Sequence, residues 1–282
     1  MAGTRLFLVS GKGGTGKSAV SAALALRAQR QGDRVLAMEI GEEGSLASHF
    51  ATTPLAFEPR EVRPGLHAMK VSRPDALLEY LSLQLRLPGV GRFGGRIARA
   101  FDALATAAPA VREIITIGKV YWEVRSGRWD TVVVDAPPTG QIGSYLRAPQ
   151  SIKELVPTGR IRGQAESMAG TLSDPEITRL VLVTVPEEVP TAETEETLAW
   201  LDREKVVPPP RVVVNRVLPV LEVATRPTGV AGEMVDLHQS LVAEQQIWLD
   251  RLPGDVQLPY LFGVYTPAEV AANLSDGMEG VL

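Results

Sequence analysis

The stretch from Val9 to Ser18 reads V-S-G-K-G-G-T-G-K-S and comes directly after an apolar run. It holds a glycine, any four residues, and then glycine, lysine and serine, which is the spacing of a phosphate-binding P-loop. Small residues let backbone N–H groups surround a phosphate, Lys17 brings positive charge to it, and the Ser18 hydroxyl is a ligand for Mg²⁺. The residues predicted to bind phosphate are therefore Gly11, Gly13, Gly14, Thr15, Gly16, Lys17 and Ser18.

The sequence on either side of this loop fits the same interpretation. Residues Arg5 to Val9 read as a strand, and the Ala/Leu pattern from Ala19 to Gln29 predicts a helix. A helix that begins near Ser18 directs the positive end of its dipole at the bound anion. A glycine-rich turn between a strand and a helix, without a ligand, is the alternative.

The composition limits the function classes. The chain of 282 residues is 45% apolar and 22% charged with a net charge of −4, so nothing favours a nucleic-acid partner. It contains no cysteine, which excludes disulfides, thiolate catalysis and a cysteine-bound zinc or arsenite site. No apolar run approaches the roughly 20 residues that a transmembrane helix needs. We therefore expect a cytoplasmic protein without stable membrane insertion.

Strand-like and helix-like segments alternate along the whole chain. After the first strand, further strands are predicted at 34–40, 66–71, 129–134, 179–185, 211–217 and 256–261, and the segment 51–64 reads as a connector. This alternation predicts an α/β fold with a doubly wound, mostly parallel sheet of the P-loop NTPase type. We expect one domain over residues 1–282, with a small inserted helical subdomain at about 74–125 and 145–172.

The segment 74–125 has a helical pattern with no standard place in such a sheet. Two apolar faces repeat at intervals of four residues, with a break between them: Leu77, Leu81 and Leu85, then Phe93, Ile97 and Phe101. We expect the two faces to pack together and to present an edge to a partner in one nucleotide state; covering the sheet is the alternative. Three arginines on the second helix, Arg92, Arg96 and Arg99, fit a solvated face better than a nucleic-acid site.

The apolar strand at 129–134 ends in an acidic residue, Asp135, and the sequence D-A-P-P-T-G-Q occupies 135–141. A carboxylate at the tip of such a strand is the usual means of holding Mg²⁺ beside a P-loop, directly or through water. Residues 137–140 read as a loop that is able to change conformation. The predicted metal ligands are therefore Ser18 and Asp135.

Three separated motifs point to one family. G-K-G-G-T-G-K-S at 11–18, D-A-P-P-T-G-Q at 135–141 and V-V-V-N at 212–215 together resemble the ArsA-type anion-transporting ATPases, which include the eukaryotic tail-anchored-protein targeting ATPase. Weaker similarity at 65–71, 108–113 and 185–188 extends the resemblance over almost the whole chain. The resemblance implies ATP and Mg²⁺ as cofactors. It also implies that Pro138, Thr139 and Gly140 belong to switch II and that Asn215 contacts the adenine.

Lys12, the second residue of the P-loop motif, resembles the lysine of the deviant P-loops in MinD-type, nitrogenase-iron-protein and arsenite-pump ATPases. In those families the lysine leaves its own loop and completes the phosphate site of the partner subunit, as an arginine finger does elsewhere. The likeness implies a homodimer, or a heterodimer with a related ATPase, in which Lys12 is catalytic. A solvated lysine at the rim of the loop is the alternative.

The residues after Asn215 indicate which nucleotide is bound. A guanine site would continue with a lysine and then an aspartate two residues later, whereas Arg216, Val217 and Leu218 follow here. ATP is therefore expected in preference to GTP. The alternative for Asn215 is a strand-end residue that satisfies a turn.

The chain departs from the family pattern in the switch regions. Family members usually carry D-P-A-H in switch I, with the aspartate positioning the attacking water, and an alignment without gaps puts Gly41 in its place. Glu39 and Glu42 lie two residues before and one residue after it, and both are candidates to replace it. We name Glu42 as the catalytic candidate, with solvated loop acids as the alternative. In switch II, Gln141 stands where the family commonly has histidine.

These observations support three hypotheses about function. The first is an ATP-driven dimeric switch that hydrolyses ATP slowly and couples its nucleotide state to a protein client, whose identity the sequence leaves open. The second is a non-hydrolysing nucleotide-binding scaffold paired with an active paralogue, which the missing switch I aspartate favours. The third is a MinD- or ParA-type positioning ATPase. It is disfavoured because residues 267–282 contain no lysine or arginine for anionic lipid, and no basic stripe serves DNA.

Overall fold

A computed structural model describes residues 3–40, 45–85, 109–223 and 225–282. The strands in this part are β1 Arg5–Gly11, β2 Val35–Glu39, β3 Arg60–Arg63, β4 Leu66–Lys70, β5 Thr131–Asp135, β6 Thr178–Thr184, β7 Arg211–Val217 and β8 Val256–Pro259. The helices are α1 Lys17–Arg30, α2 Leu46–His49, α3 Arg73–Leu85, α4 Pro109–Arg125, α5 Thr139–Leu155, α6 Arg160–Ser173, α7 Glu188–Glu204, α8 Val230–Arg251 and α9 Pro267–Leu274, followed by a 3₁₀ helix at Ser275–Gly280. None of these described helices is long and apolar enough to cross a bilayer.

The strands form one sheet in the order β3-β4-β2-β5-β1-β6-β7-β8. Neighbouring strands are parallel except β3 and β4, which form an antiparallel pair at one edge. The mostly parallel sheet is thus confirmed. The reading of 51–64 as a connector was wrong for β3, which pairs with β4 at the edge of the sheet and carries two exposed charged residues, Arg60 and Glu61, as edge strands often do.

Side chains alternate between the two faces of the sheet, so each central strand contributes to two separate cores. Phe7 and Val9 pack on the side of α1 and α9, whereas Leu6 and Leu8 pack on the side of α4 and α5. Helices therefore cover both faces, and the sheet is doubly wound as predicted. The alanines of α1 are buried, which lets this helix lie close to the sheet and sets its direction from the P-loop.

The helical elaboration is described in part. Helix α4 packs against α3, α5 and α6, and α5 packs against α6. On the first predicted apolar face, Leu77 is buried. The second face (Phe93, Ile97 and Phe101) and the arginines at 92, 96 and 99 lie outside the described residues. The expected packing of one face on the other therefore stays a prediction.

Helix α5 begins earlier than expected. Pro138 takes the N-cap position with φ −61° and ψ 161°, and Thr139 is the first helical residue. The expectation of a loop over 137–140 was therefore wrong for Thr139 and Gly140. Proline is compatible with a helix start because its fixed φ suits that position, and the first N–H groups of a helix have no intrahelical partner in any case.

A buried ion pair joins α3 and α4 to the residues before β5. The side chains of Lys119 and Glu123 are 4% and 0% exposed, and Lys119 Nζ lies 3.0 Å from Glu123 Oε1 and 2.8 Å from Glu79 Oε1. Glu123 Oε2 accepts a hydrogen bond from Trp129 Nε1 at 2.9 Å. Breaking a buried ion pair is strongly unfavourable because one charge is left uncompensated. The pair therefore ties the helical layer to the strand that ends in Asp135.

Candidate functional site

Three neighbouring strands bring the predicted site residues to one edge of the sheet. β5 lies between β1 and β2, and Asp135 pairs in register with Val9 on one side and with Glu39 on the other. Parallel strands end at the same edge, so the loop after β1 meets Asp135 and Glu39 there. Ligands of open α/β sheets bind outside this carboxyl edge.

The P-loop backbone requires glycine at two points. Gly16 has φ 93° and precedes α1, and a Cβ at this position would lie 2.4 Å from Asn215 Nδ2. A Cβ on Gly11 would lie 2.0 Å from the carbonyl oxygen of Val183 on β6. Gly16 is therefore required by its positive φ and by the nearby Asn215 side chain, and Gly11 by the close approach of the β6 backbone. They keep the loop thin enough for its N–H groups to reach a phosphate.

The carbonyl oxygen of Lys12 forms hydrogen bonds that stabilise the conformation of the loop. It accepts hydrogen bonds from Thr15 Oγ1 at 2.9 Å and from Lys17 Nζ at 3.1 Å. Thr15 is buried, whereas Lys17 lines an open cavity. The Lys17 ammonium is therefore kept at the loop, where the charge on a bound phosphate would be.

The two predicted metal ligands, Ser18 and Asp135, are in direct contact. Ser18 Oγ donates to Asp135 Oδ2 at 2.6 Å, and Ser21 Oγ donates to Asp135 Oδ1 at 3.2 Å. Ser18 Oγ also lies 2.7 Å from Ser45 Oγ. Mg²⁺ is bound through one or two carboxylates together with water and substrate phosphate. The hydroxyl and the carboxylate beside the phosphate loop fit that cation.

Asp135 and Glu39 form a buried acidic pair below the loop. Burial raises the pKa of Asp135 from 3.8 to about 6; the Ser18 hydrogen bond opposes this rise and the Glu39 charge adds to it. Glu39 is 3% exposed, and its Oε1 accepts from the Leu46 N–H at 3.3 Å. Among the described residues, Glu39 Oε2 has no hydrogen-bond partner. A buried carboxylate oxygen in this state is costly, and a cation or an ordered water beside it would lower that cost.

Asp135→Asn should make the ligand-free protein more stable, since asparagine carries no charge in this buried position. The raised pKa means that the folded state retains the proton between about pH 4 and 6, so stability falls as the pH rises through that window. At 1.36 kcal/mol per pH unit, the cost above pH 6 is about 3 kcal/mol. Urea unfolding should show this gain at about pH 7.5 and little difference at about pH 4.

Asp130→Asn is the matched control, because Asp130 directly precedes β5 and Asp135 is the last residue of that strand. Hydrogen bonds from Arg34 lower the pKa of Asp130 from 3.8 to about 2, so its charged form is favoured in the folded state. Its removal should reduce stability at neutral pH, the opposite sign from Asp135→Asn. Equal stability of Asp135→Asn and the wild type at about pH 7.5 would show that the Asp135 charge has no such cost.

The P-loop opens into a cavity of about 990 Å³ that continues towards α3 and α4. Near the loop it is lined by Gly13, Gly14, Lys17, Ser18, Glu39 and Asp135. The rest of its wall includes Lys70, Arg73, Leu77, Arg112, Thr116, Gln141 and Tyr145. The same cavity therefore connects the phosphate loop with two helices, and three cationic side chains line it outside the loop.

Asn215 lies against the P-loop. Its Nδ2 donates to the Thr15 carbonyl oxygen at 2.9 Å, and its Oδ1 accepts from the Arg216 N–H at 3.0 Å. Arg216 has φ 60°, and the pairing of β7 with β8 shifts register between Val214 and Val217. Such a bulge re-aims the neighbouring side chains. Asn215 thus supports the loop backbone, and its contact with adenine stays a prediction.

The Lys12 side chain extends to α7. Its Nζ forms an ion pair with Glu193 Oε1, and Thr139 Oγ1 donates to Glu193 Oε2 at 3.4 Å. The side chains of Lys12 and Glu193 are 35% and 36% exposed. Lys12 therefore leaves its own loop, while its contact with a partner subunit stays a prediction.

Two predicted switch I positions, Gly41 and Glu42, lie outside the described residues, so the choice of Glu42 as the catalytic residue stays a prediction. Sequence reasoning missed Ser21 and Glu193. The first is detectable as a hydroxyl one turn after Ser18 on the same helix face. Glu193 offers no such signal, because 181 positions separate it from the lysine that it contacts.

The fold and the site together define a nucleotide-binding protein of the P-loop class. The sequence profile of the family described as "Anion-transporting ATPase" matches residues 4–168, which run from the start of β1 into α6. This match covers more than half of the chain. The chain belongs to the anion-transporting ATPase family.

Individual relatives agree with this family assignment. The chain is 34% identical to the ATPase BagA of Mycobacterium tuberculosis over 230 residues, which cover 78% of this chain and 67% of that protein. It is 26% identical to the arsenical pump-driving ATPase of Acidiphilium multivorum over 276 residues, covering 88% of this chain and 45% of that protein. Identity to the ATPase get3 of Neurospora crassa is 27% over 154 residues, covering 54% of this chain and 45% of that protein.

Proposed function

We propose that this protein binds ATP with Mg²⁺ and acts as a slow, dimeric ATPase switch. The proposal is carried by the contact of Ser18 with Asp135 beside Lys17, at one end of a cavity with room for a triphosphate. The relatives, which are named as ATPases, support the same activity. Calorimetric titration with ATP in the presence and absence of Mg²⁺, combined with steady-state phosphate release, tests it. Binding that is indifferent to Mg²⁺ would count against the site.

Binding is divided among several groups of the site. The N–H groups of the loop and the first turn of α1 face the phosphates, and the positive end of the helix favours negative charge there. Lys17 adds a full positive charge. Ser18 and Asp135 hold Mg²⁺, which neutralises phosphate charge when bound. Asn215 keeps the loop in place through the Thr15 carbonyl.

Hydrolysis needs a group that orients the attacking water. Gly41, at the position of the usual aspartate, has no side chain for this role. Glu39 lines the same cavity as Lys17 and has an oxygen without a partner among the described residues. We assign the water-orienting role to Glu39, with Glu42 as the second candidate. A poorly placed general base lowers rates by about 10²- to 10⁴-fold, so turnover should be slow.

The proposal of a dimer is supported by the position of Lys12. Its side chain leaves the loop to pair with Glu193 and does not line the cavity at its own P-loop, so a facing subunit is the place where it would meet phosphate. Two subunits that face each other across their P-loops make this contact twice, by symmetry. ATP then tightens the dimer and ADP loosens it. The partner is a second copy of this chain or a related ATPase.

Lys12→Ala should weaken the ATP-dependent dimer by about a hundredfold. Each subunit would lose one charge-assisted contact of at least about 1.5 kcal/mol, and a symmetric dimer loses two. Light scattering with Mg²⁺ and either ADP or a non-hydrolysable ATP analogue measures the effect. Lys153→Ala on α5, where the lysine donates to Gln150 Oε1 at 3.1 Å, is the charge-matched control. A Lys12→Ala protein that dimerises like wild type removes this lysine from the interface.

The helical layer is the part of the molecule placed to respond to nucleotide. The cavity that begins at the P-loop reaches Arg73 and Leu77 on α3 and Arg112 on α4. A γ-phosphate that enters or leaves changes the charge beside these helices, and such local charge changes bias conformation in other nucleotide switches. We propose that α3 and α4 report the nucleotide state to a protein client.

A second candidate function is a nucleotide-binding scaffold that does not hydrolyse ATP and pairs with an active paralogue. Gly41, in place of the usual switch I aspartate, is the observation that favours it. Measuring association and phosphate release on the same protein distinguishes the two functions. ATP-dependent association without phosphate release identifies the scaffold, whereas slow release that depends on an intact Lys17 identifies the ATPase.

A further inference from the structure

We propose that Glu193 of α7 is a positioning residue that holds Lys12 inside its own subunit until a nucleotide-loaded partner subunit takes the lysine over. The ion pair between the two side chains is a feature of one subunit. The second position of Lys12, at the partner's phosphates, rests on the proposed function. The proposal adds a residue that the P-loop motif and the sequence pattern do not indicate.

The backbone of Lys12 is fixed, so only its side chain can change position. The Lys12 carbonyl oxygen accepts hydrogen bonds from Thr15 Oγ1 and Lys17 Nζ, and Thr15 is in turn held by Asn215. A movement of the whole loop would break these contacts and disturb the phosphate site. Rotation about the side-chain bonds of Lys12 leaves all of them in place.

Glu193 contacts two parts of the site. One carboxylate oxygen pairs with the P-loop lysine, and the other accepts from Thr139, the first residue of the helix that follows Asp135. Beside it, a cleft of about 550 Å³ lies between α5 and α7. The cleft is lined by Thr139, Gly140, Gly143, Arg147, Glu196 and Trp200, among others. A lysine that leaves Glu193 therefore moves into open space and not through packed side chains.

The ion pair between Lys12 and Glu193 is weak enough to break reversibly. Both side chains are about one-third exposed, and pairs of this exposure change an equilibrium only a few-fold. The phosphates of ATP carry more negative charge than one carboxylate and form stronger hydrogen bonds with an ammonium group. Lys12 should therefore stay with Glu193 in the isolated subunit and transfer when the phosphates of a partner come within reach.

Glu193→Gln keeps the size of the side chain and removes its charge. If Glu193 keeps Lys12 from the interface, the apparent dissociation constant of the dimer is the intrinsic constant divided by the fraction of lysine that is not held. A hold of about threefold per lysine predicts a dimer that is about tenfold tighter when both subunits carry Glu193→Gln. A residue with a merely structural role would give a weaker dimer, or no change.

The test combines two measurements on the full chain. The first is the rate at which Lys12 is acylated in the nucleotide-free protein, followed by mass spectrometry; it should rise a few-fold in Glu193→Gln because Nζ is no longer covered by a carboxylate. The second is dimer dissociation by analytical ultracentrifugation with Mg²⁺ and a non-hydrolysable ATP analogue. Glu196→Gln, on the exposed side of the same cleft, is the matched control and should change neither.

The outcomes separate this proposal from the function on which it rests. An unchanged acylation rate, or a wild-type dimer that Glu193→Gln weakens or leaves unchanged, overturns the positioning role. Faster acylation with a tighter dimer supports both the hold and the transfer. Faster acylation with no dimer in any variant overturns the dimeric function, and with it the transfer of Lys12, while the hold within one subunit stands.

Discussion

Lys17→Ala is expected to lower the affinity for ATP with Mg²⁺ by about a hundredfold. Lys17 Nζ is kept at the loop by the Lys12 carbonyl oxygen and lines the cavity, so it meets the phosphates without a large rearrangement. Charge-assisted hydrogen bonds contribute up to about 3 kcal/mol each, and 1.4 kcal/mol corresponds to a factor of ten. Isothermal titration calorimetry of the wild type and the variant measures the difference.

Two further variants show whether the loss is specific. Lys17→Arg keeps the charge but replaces a compact ammonium with a planar group, so we expect partial recovery of affinity. Lys153→Ala removes a lysine of α5 that lies outside the cavity and should bind ATP like the wild type. If Lys17→Ala binds as tightly as Lys153→Ala, the P-loop is not the phosphate site.

The phosphate site could be predicted from the sequence because its chemistry is local. Gly11, Gly16, Lys17 and Ser18 act through one loop, so their spacing alone describes the geometry. Asp135 was also within reach, since an apolar strand places the residue at its tip on the carboxyl edge of the sheet. Both landmarks depend on short segments whose conformation the neighbouring residues decide.

Other parts of the site depend on contacts between distant segments. The position of β5 between β1 and β2 is what places Glu39 next to Asp135, and strand order cannot be read from periodicity. For that reason the sequence offered both Glu39 and Glu42 as substitutes for the missing aspartate, and Glu42 was named as the catalytic candidate. The pairing of Lys12 with Glu193 likewise depends on how α7 packs. Helix α5 was placed too late because prolines and a glycine before Gln141 suggested a loop.

The buried acids show how the site differs from the rest of the core. The buried residues of the core on this face of the sheet are apolar and add to stability, whereas the pKa of Asp135 is raised by burial and by the charge of Glu39. The ionised form of Asp135 in this position lowers the stability of the ligand-free protein. Mg²⁺ and phosphate-bound water would offset that cost, so the acids suit a ligand-bound state.

Glu39→Gln is expected to reduce the rate of phosphate release by about 10²- to 10⁴-fold, the usual loss when a well-placed general base or water-orienting group is removed. Glu39 Oε1 is held by the Leu46 N–H, so the side chain is positioned, and its other oxygen is available to a water in the cavity. Glutamine keeps the size and the Leu46 contact. ATP affinity should therefore stay within a few-fold of the wild type.

The measurement is single-turnover phosphate release at saturating ATP and Mg²⁺, so that binding and dimer formation do not limit the rate. Glu42→Gln is the comparison variant: if it loses turnover and Glu39→Gln does not, Glu42 orients the water. Gly41→Asp in the Glu39→Gln background tests the role directly, because an aspartate at the family position should restore part of the lost rate. Should Glu39→Gln and Glu42→Gln both release phosphate like the wild type, neither acid acts in hydrolysis. Should the wild type itself release none while still binding ATP, the scaffold function is the better account, because Gly41 would then have removed catalysis without removing the phosphate site.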